Sequence, residues 1–412
     1  MGKSPLILAA LAKDAAPALN FTRAETIGSE DGAISSTLLT DTDGKLHVIK
    51  MPRTQNAGVA LDTELNAIRA FNSAVRERMP FEIAHIEGET RDGFGKRAVL
   101  LSYVYGMPID LTAINGNDPL VASIAKSLAA IHGLPNPVVE NAGMPEYSPA
   151  DVVRLRTNEL DRAAETGKVP SVLLSRWENA LADVSLFKFL PTVIHADMHG
   201  DHVLESEDQV SGILEWGNLQ IGDPAADFAW IVGSQNHDVA YAIMLEYQAL
   251  RPNTDSHLKQ RAELYGELEL ARWLLHGVKT RDETTIIEAV GMLEDLALRV
   301  EANEVPSLST APIPEVSAVQ FESVTPHFES GQFETPQLET AAIPVIETSA
   351  TAAEAPQITS DRLSEAEFAQ IPVIDEGEAA TYEATPTAVL NVVDVVETVE
   401  GELPAKKDDE LF

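Results

Sequence analysis

The chain has 412 residues, a formal net charge of −36 and no cysteine. That length allows two or three domains. The missing thiols exclude a disulfide framework, a thiolate metal site and a cysteine nucleophile, and the acidic balance excludes a cationic face for nucleic acid.

The charge is uneven. Residues 301–412 hold 23 acidic against 3 basic side chains, and the remainder holds 42 against 26. At the other end, the apolar run Leu6–Ala12 follows Lys3 and stops at Lys13-Asp14. It lacks a cleavage flank and is too short for a membrane span. We expect a helix packed on the first domain, no membrane association and a cytoplasmic protein.

Residues 18–106 read as strands. Phe21–Ile27, Ser36–Thr40, Leu46–Met51 and Ala98–Tyr103 are apolar or alternating, and Asp41–Gly44 (DTDG) is a hairpin turn. The turn Gly28-Ser29-Glu30-Asp31-Gly32 brings backbone N–H groups together between two strands, where they can close over phosphates. Leu61, Leu65, Ile68 and Phe71 then form one helical stripe, and Glu64 falls on it. A carboxylate on a packed face needs a cation; Lys50, Arg53 and Arg69 are within reach in sequence.

From 107 to about 302 the period is helical. Leu120, Ile124, Leu128 and Ile131 make a stripe that ends at His132-Gly133, where His132 reads as a capping or packing residue. Asp151–Phe187 supplies two helices broken near Gly167–Pro170. Phe228–Leu250, His257–His276 and Glu283–Val300 supply three more. Trp230, Tyr241, Tyr247 and Trp273 are the aromatics that can face an apolar substrate, although core is the commoner place for them.

Between these helices lies the stretch that carries chemistry, His195–Asp227 (HADMHGDHVLESEDQVSGILEWGNLQIGDPAAD). The apolar runs Pro191–Ile194 and Gly212–Trp216 read as two strands of one hairpin around the polar turn Glu205–Gln209. Asp197 follows the first run and Glu215 closes the second. Carboxylates from two strand ends near one point are what a divalent metal and a phosphoryl group require. His199 is expected to face solvent. After 303 come ten prolines, abundant Glu, Thr and Ser, and degenerate repeats such as Phe321-Glu322-Ser323 and Phe328-Glu329-Ser330. This is the composition of a disordered acidic tail with the capacity to dock a protein partner.

His195-Ala196-Asp197, His202, Leu214-Glu215-Trp216 and Gly222-Asp223-Pro224 with Asp227 resemble the catalytic core of the aminoglycoside phosphotransferase-like kinases. Their pattern is H-G-D-x-x-x-x-N, I-D-W/F and G-D-P-x-x-D. A histidine in place of the asparagine, together with the opening GKSPLILAALA and the MPRTQ segment, is similar to the macrolide 2′-phosphotransferase branch. The resemblance covers roughly three quarters of the chain. It implies an α+β, two-lobed, protein-kinase-like fold. Residues 1–106 would be the β-rich nucleotide-binding lobe, 107–302 the helical catalytic and acceptor lobe, and 303–412 the tail.

The same resemblance implies ATP or GTP with Mg2+ as cofactors and a small hydroxylated acceptor of the macrolide or aminoglycoside kind. It makes Asp197 the catalytic base. Lys50 would touch the phosphates and pair with Glu64, and Gly28 and Gly32 would flank the phosphate turn. The strand exit at Ser102 and Tyr103 would meet adenine. His202 and Glu215 would hold the metal, supplemented by Asn218 or Asp201. His195 would brace the loop, and Asp223 and Asp227 would accept its backbone N–H groups. Three departures stand out: Ala196 for Gly, His202 for Asn and Glu215 for Asp. The last adds a methylene at a metal ligand, and it keeps a second reading alive, a kinase-fold binding module with weak catalysis whose tail recruits partners. A protein kinase is disfavoured by the lack of an A-P-E segment.

Overall fold

Inward and outward side chains alternate along the early strands, and this sorts them onto the two faces of one sheet. The computed structural model describes residues 3–28, 32–234 and 236–308. Strands β1 (Phe21–Ile27), β2 (Ile34–Asp41), β3 (Leu46–Pro52), β4 (Ile86–Arg91) and β5 (Arg97–Ser102) form an antiparallel sheet in the order β1-β2-β3-β5-β4. Helix α1 (Pro5–Ala15) covers one face, where Leu8, Leu11 and Ala12 meet Leu39, Ile49, Met51, Ala98 and Leu100. Helix α2 (Gln55–Ala70) covers the other, with Leu61, Leu65 and Ile68 on Val99 and Leu101. Thr54 starts α2 by accepting the Ala57 N–H. Ile49 and Met51 look toward α1, so Lys50 between them looks toward α2, level with its register partner Val99.

A short helix α3 (Ser73–Arg76) precedes β4. The sequence reading passed over β4 because its residues alternate half-buried and exposed with little apolar content. After β5 the chain crosses to the second lobe at Gly106. Its φ is 144°, and a Cβ there would stand 2.2 Å from Ser211 Oγ, so only glycine fits.

The second lobe holds α4 (Pro119–His132), α5 (Pro137–Ala142), α6 (Pro149–Glu165), α7 (Ser171–Ala182), α8 (Ala229–Val232), α9 (His237–Leu250), α10 (Leu258–Thr280) and α11 (Glu283–Glu301) around one large core. It also holds five short strands: β6 (Met107–Pro108), β7 (Thr192–Ile194), β8 (Val203–Ser206), β9 (Gln209–Ile213) and β10 (Gln220–Gly222). The expected hairpin is corrected here. β7 pairs with β10, whereas β9 pairs with β8, and β6 completes that second sheet. The polar turn belongs to β8 and β9. Glu207 (φ 53°) and Asp208 (φ 59°) both sit in the left-handed region, as a two-residue hairpin turn demands. The helix expected over 228–250 is also two helices. Asn236 lies between them, accepting the Val239 N–H and donating to the carbonyls of Leu111 and Ile114.

The two-lobed α+β kinase-like architecture is thus present. Among the described residues no helix is long and apolar enough to cross a membrane. The chain stays on the helical lobe through 308: Leu308 is 2 % exposed within the core, and the Pro306 carbonyl accepts from Arg176 Nη2 at 2.7 Å. The repeats and docking motifs read in the acidic tail lie outside the described residues.

Candidate active site

The loop after β7 is held from below by Asp227. This fully buried carboxylate accepts the His195 N–H (2.9 Å) and the Ala196 N–H (2.7 Å), one on each oxygen. Behind it, His132 Nε2 lies 3.1 Å from Asp227 Oδ2 and His132 Nδ1 lies 2.7 Å from the Tyr247 hydroxyl. The acceptor-only carboxylate makes Nε2 the donor, so a line of hydrogen bonds runs from α9 through the end of α4 to the loop. Burial opposes ionisation of Asp227, but the His132 hydrogen bond and charge, with His195, outweigh it and hold the carboxyl below its usual range. This grip matters because Ala196 has φ 65°, a conformation that disfavours any side chain bearing a Cβ.

His195 braces the same loop. Its Nε2–H donates to the Leu214 carbonyl at 2.8 Å, while Nδ1 accepts the Asp197 N–H at 3.3 Å. Both bonds suit the neutral ring, and burial pushes its pKa down. Asp223 differs from the expectation. It receives Arg261 through two nitrogens (2.7 and 3.0 Å), the Tyr265 O–H (2.6 Å) and the Ala225 N–H (2.9 Å). It therefore ties α10 to the turn below the site, and of the two aspartates it is Asp227 that accepts the N–H groups of His195 and Ala196.

Asp197 projects from this support with its side chain 31 % exposed. His202 Nδ1–H donates to the Asp197 carbonyl at 2.7 Å and lies 4.0 Å from its Oδ2. The His199 side chain is 39 % exposed, with its ring centroid 3.6 Å from that of His202. Burial and the neighbouring His202 push its pKa down to about 4. Potential ligand atoms of Asp197, His199 and His202 all lie within 4.8 Å of one another. Glu215 stands outside that group.

Glu215 instead reaches across to the sheet. Lys50 Nζ lies 2.7 Å from Glu215 Oε1, and 3.1 and 3.3 Å from the two Glu64 oxygens. This resolves the partner of Glu64 as Lys50: Arg53 donates to Ser35 Oγ, and Arg69 pairs with Glu89. One ammonium between two carboxylates leaves excess negative charge. Burial and the repulsion of Glu215 push Glu64 up to about 7. For Lys50 burial works the other way, yet Glu215 and Glu64 overcome it and raise its pKa. Glu215 is lowered, with Lys50 outweighing the effect of burial. Glu215 itself has φ 58°.

At the residues expected to meet the nucleotide, Gly28 (φ 81°) follows β1 and Gly32 leads into β2, with 29–31 outside the described residues. Both N–H groups at the strand exit are committed to the sheet: Ser102 donates to the His85 carbonyl (2.9 Å) and Tyr103 to the Leu46 carbonyl (3.3 Å). The Tyr103 ring stands edge-on to Tyr105.

Beside the loop, α6 and α10 present charge toward Asp197. Glu159 pairs with Arg272 (2.6 Å) and Arg156 (3.0 Å), Arg272 pairs with Glu269 (2.6 Å), and Arg272 and Glu269 both feel the Asp197 charge. Of the four aromatics, Tyr247 is core, Trp230 donates to the Asp227 carbonyl, Trp273 stacks on His276, and Tyr241 is exposed. Sequence reasoning missed the supporting role of His132. Its only signal was the helix end, since its partners lie 95 and 115 residues away.

The model of the phosphotransferase enzyme family (APH) matches residues 28–271, more than half of the chain, from the glycine turn past Asp227. This chain belongs to that family. The chain is 25 % identical to the uncharacterized protein YcbJ of Bacillus subtilis (strain 168) over 188 residues, 43 % of this chain and 60 % of that protein's length. It superposes on macrolide 2′-phosphotransferase type I with a TM-score of 0.60 at 21 % identity, over 70 % of this chain and 96 % of the other. On the GDP complex of wild-type aminoglycoside 2′-phosphotransferase-IIIa the TM-score is 0.59 at 18 % identity, over 74 % and 100 %. These likenesses establish the fold; the acceptor is a separate matter.

Proposed function

We propose that this phosphotransferase moves the terminal phosphoryl group of ATP or GTP to a hydroxyl of a macrolide- or aminoglycoside-like small molecule. The observation that carries the reading is the Lys50 ammonium, shared between Glu64 of α2 and Glu215 of the opposite lobe. A cation fixed on a sheet beside a loop-borne aspartate is the arrangement phosphoryl transfer uses. Asp197 takes the proton of the attacking hydroxyl. Lys50 offsets charge on the phosphates, and the Gly28–Gly32 turn offers them backbone N–H groups. His195, with the Asp227–His132–Tyr247 line, fixes the angle of Asp197.

The donors present fit a nucleotide-bound magnesium at Glu215. That ion takes most of its ligands from phosphates and water and needs few from protein, and the Lys50–Glu64–Glu215 group carries the excess negative charge that would attract it. Magnesium supplies further neutralisation of the phosphate oxygens. The His202 imidazole suits it poorly, because magnesium prefers oxygen. Support for the acceptor class comes from the macrolide and aminoglycoside phosphotransferases that share the fold, and GDP in one of them supports a purine nucleotide.

The test combines binding with turnover. Thermal stability is followed as Mg2+ and ATP or GTP are added, and phosphate transfer is then measured on a panel of macrolides and aminoglycosides. A metal-dependent stabilisation with transfer to one class supports the proposal. The 2.7 Å Lys50–Glu215 contact favours a second reading, a binding module whose metal carboxylate is already taken. Stabilisation by metal in Glu215→Asp but not in the native chain, without transfer to any acceptor, would select that reading.

A further inference from the structure

Away from the catalytic loop, the two lobes share a cavity of about 790 Å³, within the size range of small-molecule sites. Helix α3 and the segment after it supply one side, from Ser73 to His85, and the β8–β9 hairpin supplies the other, from Ser206 to Ser211. Met79, Pro80 and Phe81 give it an apolar wall. Glu77, Glu82 and Glu207 line it as well, all three exposed, and among the described residues none of them forms an ion pair. The only Lys or Arg among the described lining residues is Arg76, and its guanidinium is turned to the main chain. Nε donates to the Phe71 carbonyl (2.7 Å), Nη1 to that of Ile83 (2.6 Å), and Nη2 to those of Ile68 (3.3 Å) and Ala84 (3.0 Å). Arg76 thus staples the end of α2 to the approach to β4, and Glu82 acts on it only through charge. Three lining carboxylates outnumber that one cation.

The apolar wall leads to the active site. The Phe81 ring stacks on Trp216, the neighbour of Glu215, with centroids 6.2 Å apart and planes at 17°. The Trp216 ring in turn meets His195 edge-on at 4.7 Å. Next to Phe81, the Glu82 N–H donates to the Ser211 carbonyl at 2.8 Å, and the Glu82 carbonyl accepts the Ile213 N–H at 3.1 Å. These two bonds join the first lobe to β9.

We propose that this cavity is a binding site for a small organic cation with an apolar body, of the arylalkylammonium class, and that such a ligand fastens the first lobe to the β8–β9 hairpin. The ammonium meets carboxylates that no described cation neutralises, and the apolar body covers Met79, Pro80 and Phe81. An anion of the same shape meets repulsion from three like charges. An occupant that touches both lobes favours the state in which the Glu82 bonds are closed. None of this depends on phosphoryl transfer.

Calorimetry on the full chain compares three probes with one naphthylbutyl body, ending in an ammonium, a hydroxyl or a carboxylate. The ammonium should bind at one equivalent and at least tenfold tighter than the alcohol, and the carboxylate should bind more weakly than either. Glu77→Gln, Glu82→Gln and Glu207→Gln combined should erase the ammonium's advantage and leave the alcohol within twofold; the side chains are exposed, so the variant keeps the fold. Glu288→Gln, at an exposed position on α11, should change nothing. With the ammonium bound, hydrogen exchange at the Glu82 and Ile213 N–H groups should slow at least fivefold more than at the Ile286 N–H of α11. No binding, equal binding of ammonium and alcohol, or an ammonium affinity that the triple variant leaves intact overturns the site. Exchange that slows as much at Ile286 as at Glu82 and Ile213 overturns the fastening.

Discussion

Ala196 and Glu215 both sit in the left-handed region, at φ 65° and 58°, and both stand where the family pattern has another residue. An L-residue there costs about 1–2 kcal/mol, and glycine avoids most of it while losing about 0.5–1 kcal/mol of chain entropy. Ala196→Gly should therefore stabilise the chain by up to about 1 kcal/mol, read as a higher denaturant midpoint. No change would mean that the two Asp227 hydrogen bonds do not hold the strained shape against relaxation. Asp197→Asn keeps the loop's backbone bonds, which run to the Asp197 N–H and carbonyl. It should abolish turnover while leaving nucleotide affinity within a few fold, and an active variant would remove the base assignment. Much of this was legible. Glu64 on an apolar stripe demanded a cation, and the pattern around Asp197 named the loop. The reach of Glu215 to Lys50 was not legible, because it depends on a left-handed backbone at Glu215 and on a contact spanning 165 residues.

Between elements, the ion cluster on α6 and α10 makes a claim that pH can test. Glu159 is 8 % exposed. Burial would raise its pKa, but Arg272 and Arg156 overcome that and hold it at about 2, against an ordinary 4.5. A depressed folded-state pKa gives stability that is complete above the unfolded value and lost as pH falls toward the folded one. Wild type should exceed Glu159→Gln in stability at pH 7, and the gap should shrink below pH 4.5 by about 1.4 kcal/mol per pH unit. Denaturant melts at pH 7, 5, 4 and 3 read it directly. A gap that stays constant on acidification would show that the carboxylate's charge is not what joins the helices. Strand pairing is where element-level reading failed. Local patterns identified Pro191–Ile194 and Gly212–Trp216 as strand-like; the first holds Thr192–Ile194, but the second strand is Gln209–Ile213 and shares only residues 212 and 213 with that reading, because strand bounds and pairing are decided by partners such as Val203–Ser206 and Gln220–Gly222.

At the scale of the molecule, the fold was readable because its motifs mark the strand ends and turns that the two lobes are built on. The end of the helical lobe was less so. Proline and acid begin at about 303, and composition puts the boundary there. Yet Leu308 is 2 % exposed in the helical core, and Arg176 Nη2, which also holds Glu267, donates to the Pro306 carbonyl. One buried leucine outweighs the local polarity of its neighbours, and no composition window registers a single side chain. Ending the chain after 308 should leave the cooperative melt of the two lobes intact. Ending it after 302 removes the Leu308 side chain and opens a cavity, and should cost about 2–4 kcal/mol. Leu308→Ala in the full chain should reproduce most of that loss, which separates the leucine from any effect of a new terminus. Two truncations with the same midpoint would show that 303–308 adds nothing to the fold, and would return the boundary to the place where the composition changes.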